Sequence, residues 1–184
     1  MMAIGLFGDS GIGKTTLAVE LIAHLRAAGV LVSALKHAGH GFDIDQPGKD
    51  SHRLRAAGAF ETVVASGRRL AKIREFASDV DLHLDQLFVE FVEPEGVPLW
   101  VVFEGFRHAS HQKIEFWRPG QERVALYPED PFVVAIVTDE PASLPQPTGL
   151  PVFGRHQAAD IAAFLLRDPG RFEVRLPWQA TSGE

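Results

Sequence analysis

Two patterns of apolar residues alternate along the chain. In one, short continuous apolar runs are bounded by turn residues, as in buried strands; in the other, apolar residues recur every three or four positions, as in helices. The predicted strands are 3–7, 30–36, 61–65, 99–103, 132–137 and 151–153. The predicted helices are 14–28, 49–57, 81–91 and 157–166. This alternation indicates an α/β fold with a mostly parallel sheet and helices on both faces.

A β-hairpin insertion is predicted late in the chain. Residues 114–117 and 123–127 flank Pro119-Gly120, a dipeptide that marks turns. The apolar side chains of its first strand either cover the chain's own core or offer an unpaired edge to a second subunit. These side chains are Ile114, Phe116 and Trp117.

The composition narrows the class of protein. The 184 residues carry a net charge of −6, which argues against a broad nucleic-acid-binding surface, and no cysteine, which excludes disulfides and thiolate metal sites. No apolar run approaches the ~20 residues that span a bilayer, and the first residues predict a strand rather than a signal peptide. We expect a soluble cytoplasmic protein that binds neither nucleic acid nor membrane. We predict one domain over residues 1–178 and a disordered tail over 179–184.

A phosphate-binding loop follows the first predicted strand. The segment matches G-x-x-x-x-G-K-[ST] at every fixed position and precedes a predicted helix, the context in which this motif is meaningful. Its residues are Gly8, Asp9, Ser10, Gly11, Ile12, Gly13, Lys14 and Thr15. The glycines allow backbone N–H groups to surround an anion, and the helix directs its positive N-terminus at the same anion. A chance Gly-rich turn is the alternative, but the complete match favours a P-loop NTPase fold.

Each polar side chain of the loop has a predicted role. Lys14 adds a full positive charge near the outer phosphates, where phosphoryl transfer takes place. The Thr15 hydroxyl is a predicted ligand of Mg²⁺, which prefers oxygen ligands, and Thr16 is a further predicted phosphate contact.

Glu104 is the predicted acidic partner of this loop. It follows the buried run 99–103, and ligands of open parallel sheets bind beyond the carboxyl ends of the strands. There it is expected to hold a magnesium-bound water or to orient the attacking water. The alternative is an acid that merely caps its strand.

The loop over residues 37–45 allows three interpretations. His37 and His40, with two aspartates, form a possible transition-metal site. Alternatively the loop is a switch segment, in which Asp43 or Asp45 reaches the magnesium ion or the attacking water; Asp45 is then a catalytic residue. The third interpretation is a solvated loop. We favour the switch segment.

A basic cluster follows this loop. It comprises Lys49, His52, Arg53 and Arg55. One interpretation is a site for an anionic ligand, such as the phosphate of a pterin or of a second nucleotide. A solvated helix face is equally compatible with the pattern.

Asp139 is the candidate for base recognition. It follows the predicted strand 132–137, and its carboxylate would accept hydrogen bonds from N1–H and N2–H₂ of guanine. Adenine has no such pair of donors on that edge. The residue types near Asp139 do not by themselves decide between GTP and ATP.

Several short elements occur after the phosphate loop in an order that resembles one known family. They are Lys36-His37, Phe42-Asp43-Ile44-Asp45, Pro47-Gly48-Lys49-Asp50-Ser51, Ala57-Gly58-Ala59 and Glu104-Gly105-Phe106. With residues 8–16 they resemble the MobB family of molybdopterin-guanine dinucleotide biosynthesis adapter proteins, to about residue 115 and more loosely to 166. The stretch 36–59 makes the resemblance specific, since a phosphate loop alone indicates only a superfamily.

The resemblance implies a function. It implies a GTP-binding protein of the bacterial cytoplasm with weak intrinsic GTPase activity, and it implies a homodimer. It also implies a helper role beside the molybdenum cofactor guanylyltransferase, the enzyme that joins GMP to molybdopterin. Whether molybdopterin itself binds the chain stays open. Most of the expectation of guanine comes from the resemblance.

Two other classes of P-loop protein remain as alternatives. A small-molecule kinase shares the phosphate loop but usually has a lid with several arginines, and no segment is clearly such a lid. A GTPase that delivers a metal, like the nickel-insertion proteins, generally has a cysteine-containing motif, which this chain lacks. Because the phosphate loop contains no arginine, hydrolysis without a partner is expected to be slow.

Overall fold

The computed structural model describes residues 1–39, 41–121 and 123–174. His40 and the predicted tail over 179–184 lie outside these residues. The chain forms two compact units, one of Met1–His37 with Leu84–Glu184 and the other of Ala38–His83. The larger unit contains a six-stranded sheet and the smaller unit a two-stranded sheet.

Eight strands and four α-helices occur in the described part of the chain. In order they are β1 (Met2–Phe7), α1 (Lys14–Ala27), β2 (Leu31–Lys36), α2 (Asp50–Ala56), β3 (Glu61–Ser66), β4 (Arg69–Arg74), α3 (Leu84–Phe88), β5 (Leu99–Glu104), β6 (Lys113–Phe116), β7 (Val133–Val137), β8 (Val152–Phe153) and α4 (Ala158–Arg167). Short 3₁₀ helices follow β7 and α4. No helix among the described residues has the length and apolar character needed to cross a membrane.

The six strands of the larger unit are all parallel, in the order β2-β5-β1-β6-β7-β8. The central strand β1 lies between β5 and β6, and Leu6 is in register with Glu104 on one side and Ile114 on the other. The carboxyl ends of these strands therefore share one edge of the sheet. This confirms the predicted mostly parallel sheet.

Helices cover both faces of this sheet. On one face, Ile4 and Leu6 of β1 join a buried cluster with Leu17 and Leu21 of α1 and with α4. On the other face, Ala3 joins the buried side chains of β5 and α3. Successive residues of β1 thus point to opposite faces, as the period of a strand requires. Each fully buried aliphatic side chain of this kind contributes about 1.5–3 kcal/mol.

The predicted hairpin around Pro119-Gly120 is wrong. Residues 113–116 form the interior strand β6, which pairs in parallel with β1 and β7, and residues 123–127 form no strand. The runs on either side of Pro119-Gly120 suggested two strands joined by a turn, yet β6 is an interior strand in which Lys113 and Glu115 are both buried. Ile114 and Phe116 are also buried, so they cannot present an edge to another subunit.

Buried partners explain why β6 tolerates two charges. The ammonium of Lys113 donates to the carbonyl oxygens of Arg107 and Ala109, both at 2.8 Å, and lies 2.7 Å from a carboxylate oxygen of Asp130. Glu115 accepts hydrogen bonds from backbone N–H groups of the segment after β6. Buried charges persist only when they are paired and hydrogen-bonded in this way.

The smaller unit contains the hairpin that the fold does have. Strands β3 and β4 are antiparallel, with Glu61 in register with Arg74 and a salt bridge of 2.8 Å between their side chains. The sequence predicted the first of these strands and missed the second. Several apolar side chains of the hairpin are exposed, including Leu70, which is 69% exposed.

Candidate nucleotide-binding site

The phosphate loop connects β1 to α1, as predicted. Gly13, at the N-cap of α1, has a φ of 104°, a left-handed value that residues with a side chain rarely adopt. A Cβ atom on Gly8 would lie 2.8 Å from Cβ of Phe116, which is too close for any other residue. Ser10, Gly11 and Thr16 are exposed, whereas Ile12 is buried in the core. The loop therefore packs closely against β6 and leads into the N-terminus of α1, the end of a helix whose backbone N–H groups can bind an anion.

Lys14 lies folded over this loop. Its ammonium donates hydrogen bonds to the carbonyl oxygens of Gly8 at 3.0 Å and Asp9 at 2.7 Å. Burial lowers the pKa of Lys14, Glu104 partly offsets this shift, and Arg123 lowers the pKa further. A polyphosphate beside Lys14 would add negative charge and so favour the protonated form of the lysine.

Thr15 and Glu104 converge on one point. The Thr15 hydroxyl donates a hydrogen bond of 2.7 Å to Oε2 of Glu104, and the ammonium of Lys36 lies 3.7 Å from the same oxygen. β1 and β5 are neighbours, so Glu104 emerges beside the loop that follows β1. A hydroxyl and a carboxylate are the hard oxygen donors that Mg²⁺ prefers. These two residues therefore fit the predicted magnesium site.

Asp139 lies beyond β7, on the same edge of the sheet. Oδ1 of Asp139 accepts the backbone N–H of Arg155 at 3.1 Å, and Oδ2 pairs with the Arg155 guanidinium. These hydrogen bonds, the backbone one above all, lower the pKa of Asp139. Arg155 also approaches the phosphate loop, since a Cβ on Gly13 would lie 3.6 Å from its Cδ.

A cavity of about 220 Å³ opens between the phosphate loop and Asp139. Its lining includes Ile12, Phe116, Trp117, Thr138, Asp139 and Arg155. The indole N–H of Trp117 is buried and has no hydrogen-bond partner among the described residues. The cavity thus combines apolar walls with the Asp139 carboxylate, and apolar walls with a few polar groups are typical of ligand sites.

Asp45 belongs to the smaller unit. Its Oδ1 accepts hydrogen bonds from the Ser51 hydroxyl at 2.8 Å and the Gln46 N–H at 2.9 Å, and its Oδ2 lies 3.3 Å from Nε of Arg55. That ion pair lacks the alignment of a hydrogen bond. The proposed catalytic role of Asp45 stays a prediction, as does the switch function of the loop.

The other groups of the smaller unit are largely paired with one another. Arg55 also contacts carboxylates of Asp43 and Glu75, so the charge of this member of the basic cluster is balanced locally. Across residues 1–39, 41–121 and 123–174, no group of three or more His, Asp or Glu side chains is placed to hold a metal ion. His40, a member of the suggested metal set, lies outside these residues.

Two arginines at the phosphate loop were not found from the sequence. Arg155 follows the short strand β8, and the rule that ligands bind beyond the carboxyl ends of strands would have identified it. Arg123 is placed within the wrongly predicted hairpin. Its Nε lies 3.2 Å from Oδ1 of Asp9, a contact that no local sequence signal indicates.

Comparisons with known proteins agree with the geometry. The family model described as "Molybdopterin guanine dinucleotide synthesis protein B" matches residues 3–139. The molybdopterin-guanine dinucleotide biosynthesis adapter protein of Escherichia coli (strain K12) is 39% identical over 136 residues, which cover 73% of this chain and 77% of that protein. The adapter protein of Haemophilus influenzae is 36% identical over 142 residues, covering 77% of this chain and 76% of that protein.

Solved structures extend the likeness beyond the matched region. A crystal structure of molybdopterin-guanine biosynthesis protein B superimposes with a TM-score of 0.65 at 26% identity. The superposition covers 90% of this chain and 99% of the other. The sequence match and the parallel sheet with its phosphate loop therefore agree that this chain belongs to the MobB family.

Proposed function

We propose that this chain is a GTP-binding adapter of molybdopterin-guanine dinucleotide biosynthesis in the bacterial cytoplasm, with slow magnesium-dependent GTPase activity. The convergence of Thr15 and Glu104 beside Lys14 carries the nucleotide part of this proposal. The likeness to the adapter proteins of E. coli and H. influenzae carries the biosynthetic part.

The phosphates of GTP are expected to bind at the N-terminus of α1. Backbone N–H groups of the loop and the Lys14 ammonium would hold them, and the Thr15 hydroxyl would turn from Glu104 toward a magnesium ion. Bound magnesium would neutralise charge on the outer phosphates. Glu104 would then hold a metal-bound water or orient the attacking water.

The guanine base is expected to bind in the cavity beside Asp139. The Asp139 carboxylate would accept N1–H and N2–H₂ of guanine in place of the Arg155 guanidinium. A carboxylate accepts hydrogen bonds and donates none, so Asp139 favours guanine over adenine once the Arg155 guanidinium has moved away.

The partner in this proposal is the guanylyltransferase that attaches GMP to molybdopterin. An adapter would bind this enzyme in one nucleotide state more tightly than in another. Direct binding of molybdopterin to this chain is a separate part of the proposal. Binding of molybdopterin is measured with this chain alone and with the chain and the guanylyltransferase together. Binding to the chain alone would show direct binding, and binding only in the presence of the enzyme would show that the enzyme is required.

A homodimer is also part of the proposal, through the exposed apolar side chains of the hairpin β3–β4. Val63 and Leu70 belong to this group, and exposed apolar patches mark interaction surfaces. Leu70→Glu should convert the dimer into a monomer in sedimentation experiments. A wild-type chain that sediments as a monomer would exclude the dimer.

The first experiment is calorimetric titration of the protein with non-hydrolysable GTP and ATP analogues in the presence of magnesium. A preference for the GTP analogue of about tenfold or more, equal to about 1.4 kcal/mol, is expected. Lys14→Ala should abolish binding, whereas Arg26→Ala, an exposed change near the other end of α1, should not. Equal binding of the two analogues, or a preference for ATP, would overturn the GTP proposal and favour a kinase.

The second experiment tests the adapter role. Guanylyltransferase, GTP and molybdopterin are incubated with wild-type chain or Lys14→Ala, and formation of the guanine dinucleotide is measured. The wild-type chain should raise the rate of formation, and the variant should not. If Lys14→Ala raises the rate as much as the wild-type chain does, the adapter role does not require nucleotide binding.

A further inference from the structure

The guanidinium of Arg123 lies at the phosphate loop. Its Nε is 3.2 Å from Oδ1 of Asp9, while the carbonyl oxygen of Asp9 accepts a hydrogen bond from Lys14 at 2.7 Å. Two cations therefore contact the same loop residue, one through its carboxylate and one through its backbone. The side chain of Arg123 is 56% exposed, so much of it is accessible to a ligand in solution.

The segment that carries Arg123 is held in place by hydrogen bonds. The buried carboxylate of Glu115 accepts the N–H of Tyr127 at 2.8 Å and that of the preceding residue at 3.0 Å. The side chain of Arg107 donates to the carbonyl oxygen of Val124, the residue next to Arg123. The position of Arg123 over the loop is thus set by the tertiary structure rather than by its weak surface ion pair.

This arrangement brings like charges together. Arg123 and Lys14 both contact Asp9, so two positive charges lie at one residue of the phosphate loop. Asp9 contacts both cations, Arg123 through one carboxylate oxygen and Lys14 through its carbonyl oxygen. An anion between the two cations would remove their repulsion, so the geometry is suited to a group with several negative oxygens.

We propose that Arg123 is an arginine supplied by this chain to the outer phosphates of the nucleotide in its own phosphate loop. The inference rests on the proposed function and adds a residue to it. In the reaction, water forms a bond to the γ-phosphorus, and the bond from that phosphorus to the β–γ bridging oxygen breaks. The bridging oxygen keeps the electron pair, and a proton is released to solvent. The products are GDP and phosphate.

Arg123 would stabilise the charge that develops on the bridging and γ oxygens. Its planar fork can contact two phosphate oxygens at once, which a lysine cannot do. An arginine supplied in cis is compatible with slow turnover, since such GTPases still hydrolyse at about 10⁻² s⁻¹. The phosphate loop itself contains no arginine, and under this inference Arg123 supplies that charge from another segment of the chain.

The test compares Arg123→Ala and Arg123→Lys with the wild type in the full chain. Three quantities are measured: the single-turnover hydrolysis rate at saturating GTP, the affinities for GDP and for a GTP analogue, and the affinity for GDP with aluminium fluoride. The matched control is Arg26→Ala, which removes an exposed arginine about 18 Å along α1. Circular dichroism and thermal melting report on folding of each variant.

Arg123→Ala should reduce the hydrolysis rate at least about tenfold, with the affinity for GDP changed less than about threefold. Binding of the GTP analogue should weaken more than binding of GDP, and binding of GDP with aluminium fluoride should weaken most. Arg123→Lys should recover only part of each loss, and Arg26→Ala should behave as the wild type. Wild-type values in Arg123→Ala would overturn the inference.

The proposed function and the inference fail differently. If the wild type binds GTP without hydrolysing it, the GTPase activity is excluded, and the ratio of GTP-analogue to GDP affinity decides the role of Arg123. An unchanged ratio in Arg123→Ala then overturns the inference. If the wild type binds no nucleotide, both fall.

Discussion

The hydroxyl of Thr15 donates a hydrogen bond of 2.7 Å to the carboxylate of Glu104, a residue 89 positions later in the chain. The contact joins the start of α1 to the end of β5, two elements that meet because β1 and β5 are parallel neighbours. It places two oxygen atoms beside the ammonium that covers the phosphate loop. The nucleotide chemistry proposed for this protein depends on that convergence.

Replacement of Thr15 should separate magnesium-dependent from magnesium-independent binding. Thr15→Ala removes a hydroxyl ligand and should weaken binding of a GTP analogue about tenfold or more with magnesium present, with a much smaller effect in EDTA. Thr15→Ser keeps the hydroxyl and should bind nearly as the wild type. Calorimetric titration in both conditions measures the difference. An equal loss with and without magnesium would show that Thr15 contacts the phosphates directly.

Replacement of Asp139 should change the base preference. Asp139→Asn exchanges one acceptor oxygen for an N–H₂ donor, which would face the 2-amino group of guanine, so GTP binding should weaken about tenfold or more. Xanthine has a carbonyl oxygen at this position, so the variant should bind XTP more tightly than the wild type does. Competition binding of GTP and XTP measures both effects. Unchanged affinities would mean that Asp139 serves only to pair with Arg155.

The affinity for GTP should fall in alkaline solution. Burial lowers the pKa of Lys14 from its ordinary value of 10.5, so the free protein loses this positive charge at a lower pH than an exposed lysine would. Because the phosphates attract the protonated form, affinity is full below the lowered pKa and declines as the pH rises through it. Calorimetric titrations of the protein with a GTP analogue at several alkaline pH values measure this decline in affinity.

The matched control for this pH dependence is Lys14→Arg. Arginine stays charged throughout the range, so its pH profile contains only the titration of guanine and of other groups. The wild type should lose affinity at a lower pH than this variant. Coinciding profiles would contradict the assignment to Lys14.

Removal of the Glu115 carboxylate should destabilise the fold. Glu115→Ala leaves the N–H groups of Leu126 and Tyr127 without their acceptor and should lower the free energy of unfolding by about 2–4 kcal/mol. Glu129→Ala, an exposed change in the same segment, should have little effect. Urea denaturation followed by circular dichroism measures the free energy of unfolding of the wild type, Glu115→Ala and Glu129→Ala.

The pH dependence of this loss has a definite sign. Burial raises the pKa of Glu115 above 4.5, with the hydrogen bonds from Leu126 and Tyr127 opposing the shift. A raised pKa contributes stability that is full below 4.5 and is lost as the pH rises through the folded-state value. The difference in the free energy of unfolding between the wild type and Glu115→Ala should therefore become smaller as the pH rises from 4.5 through the folded-state pKa. A difference that widens with pH would contradict a raised pKa.

Two polar residues of β6 show where prediction from sequence failed. The runs on either side of Pro119-Gly120 suggested a hairpin whose first strand is 114–117, whereas the strand β6 contains both Lys113 and Glu115. In the structure both charged side chains are buried and paired with groups from distant segments. A pattern of polarity cannot reveal such partners, because they become neighbours only when the sheet has formed.

The sequence by itself determined the phosphate loop, the helix after it and the parallel α/β class. These depend on contiguous residues: glycines that adopt special backbone angles, a run of buried strand residues, and the four-residue spacing of the buried leucines of α1. Local interactions of this kind are encoded over a few positions. These local interactions depend little on distant parts of the chain.

Only the tertiary structure decided which side chains gather around that loop. Glu104 was predicted because it ends a buried strand, but its contact with Thr15 required β5 to lie beside β1. Arg123 and Arg155 reach the loop from segments with no recognisable motif, through anchors such as Glu115 and Asp139. Such contacts join residues far apart in sequence, and their geometry is fixed by strand order and by the pairing of buried charges.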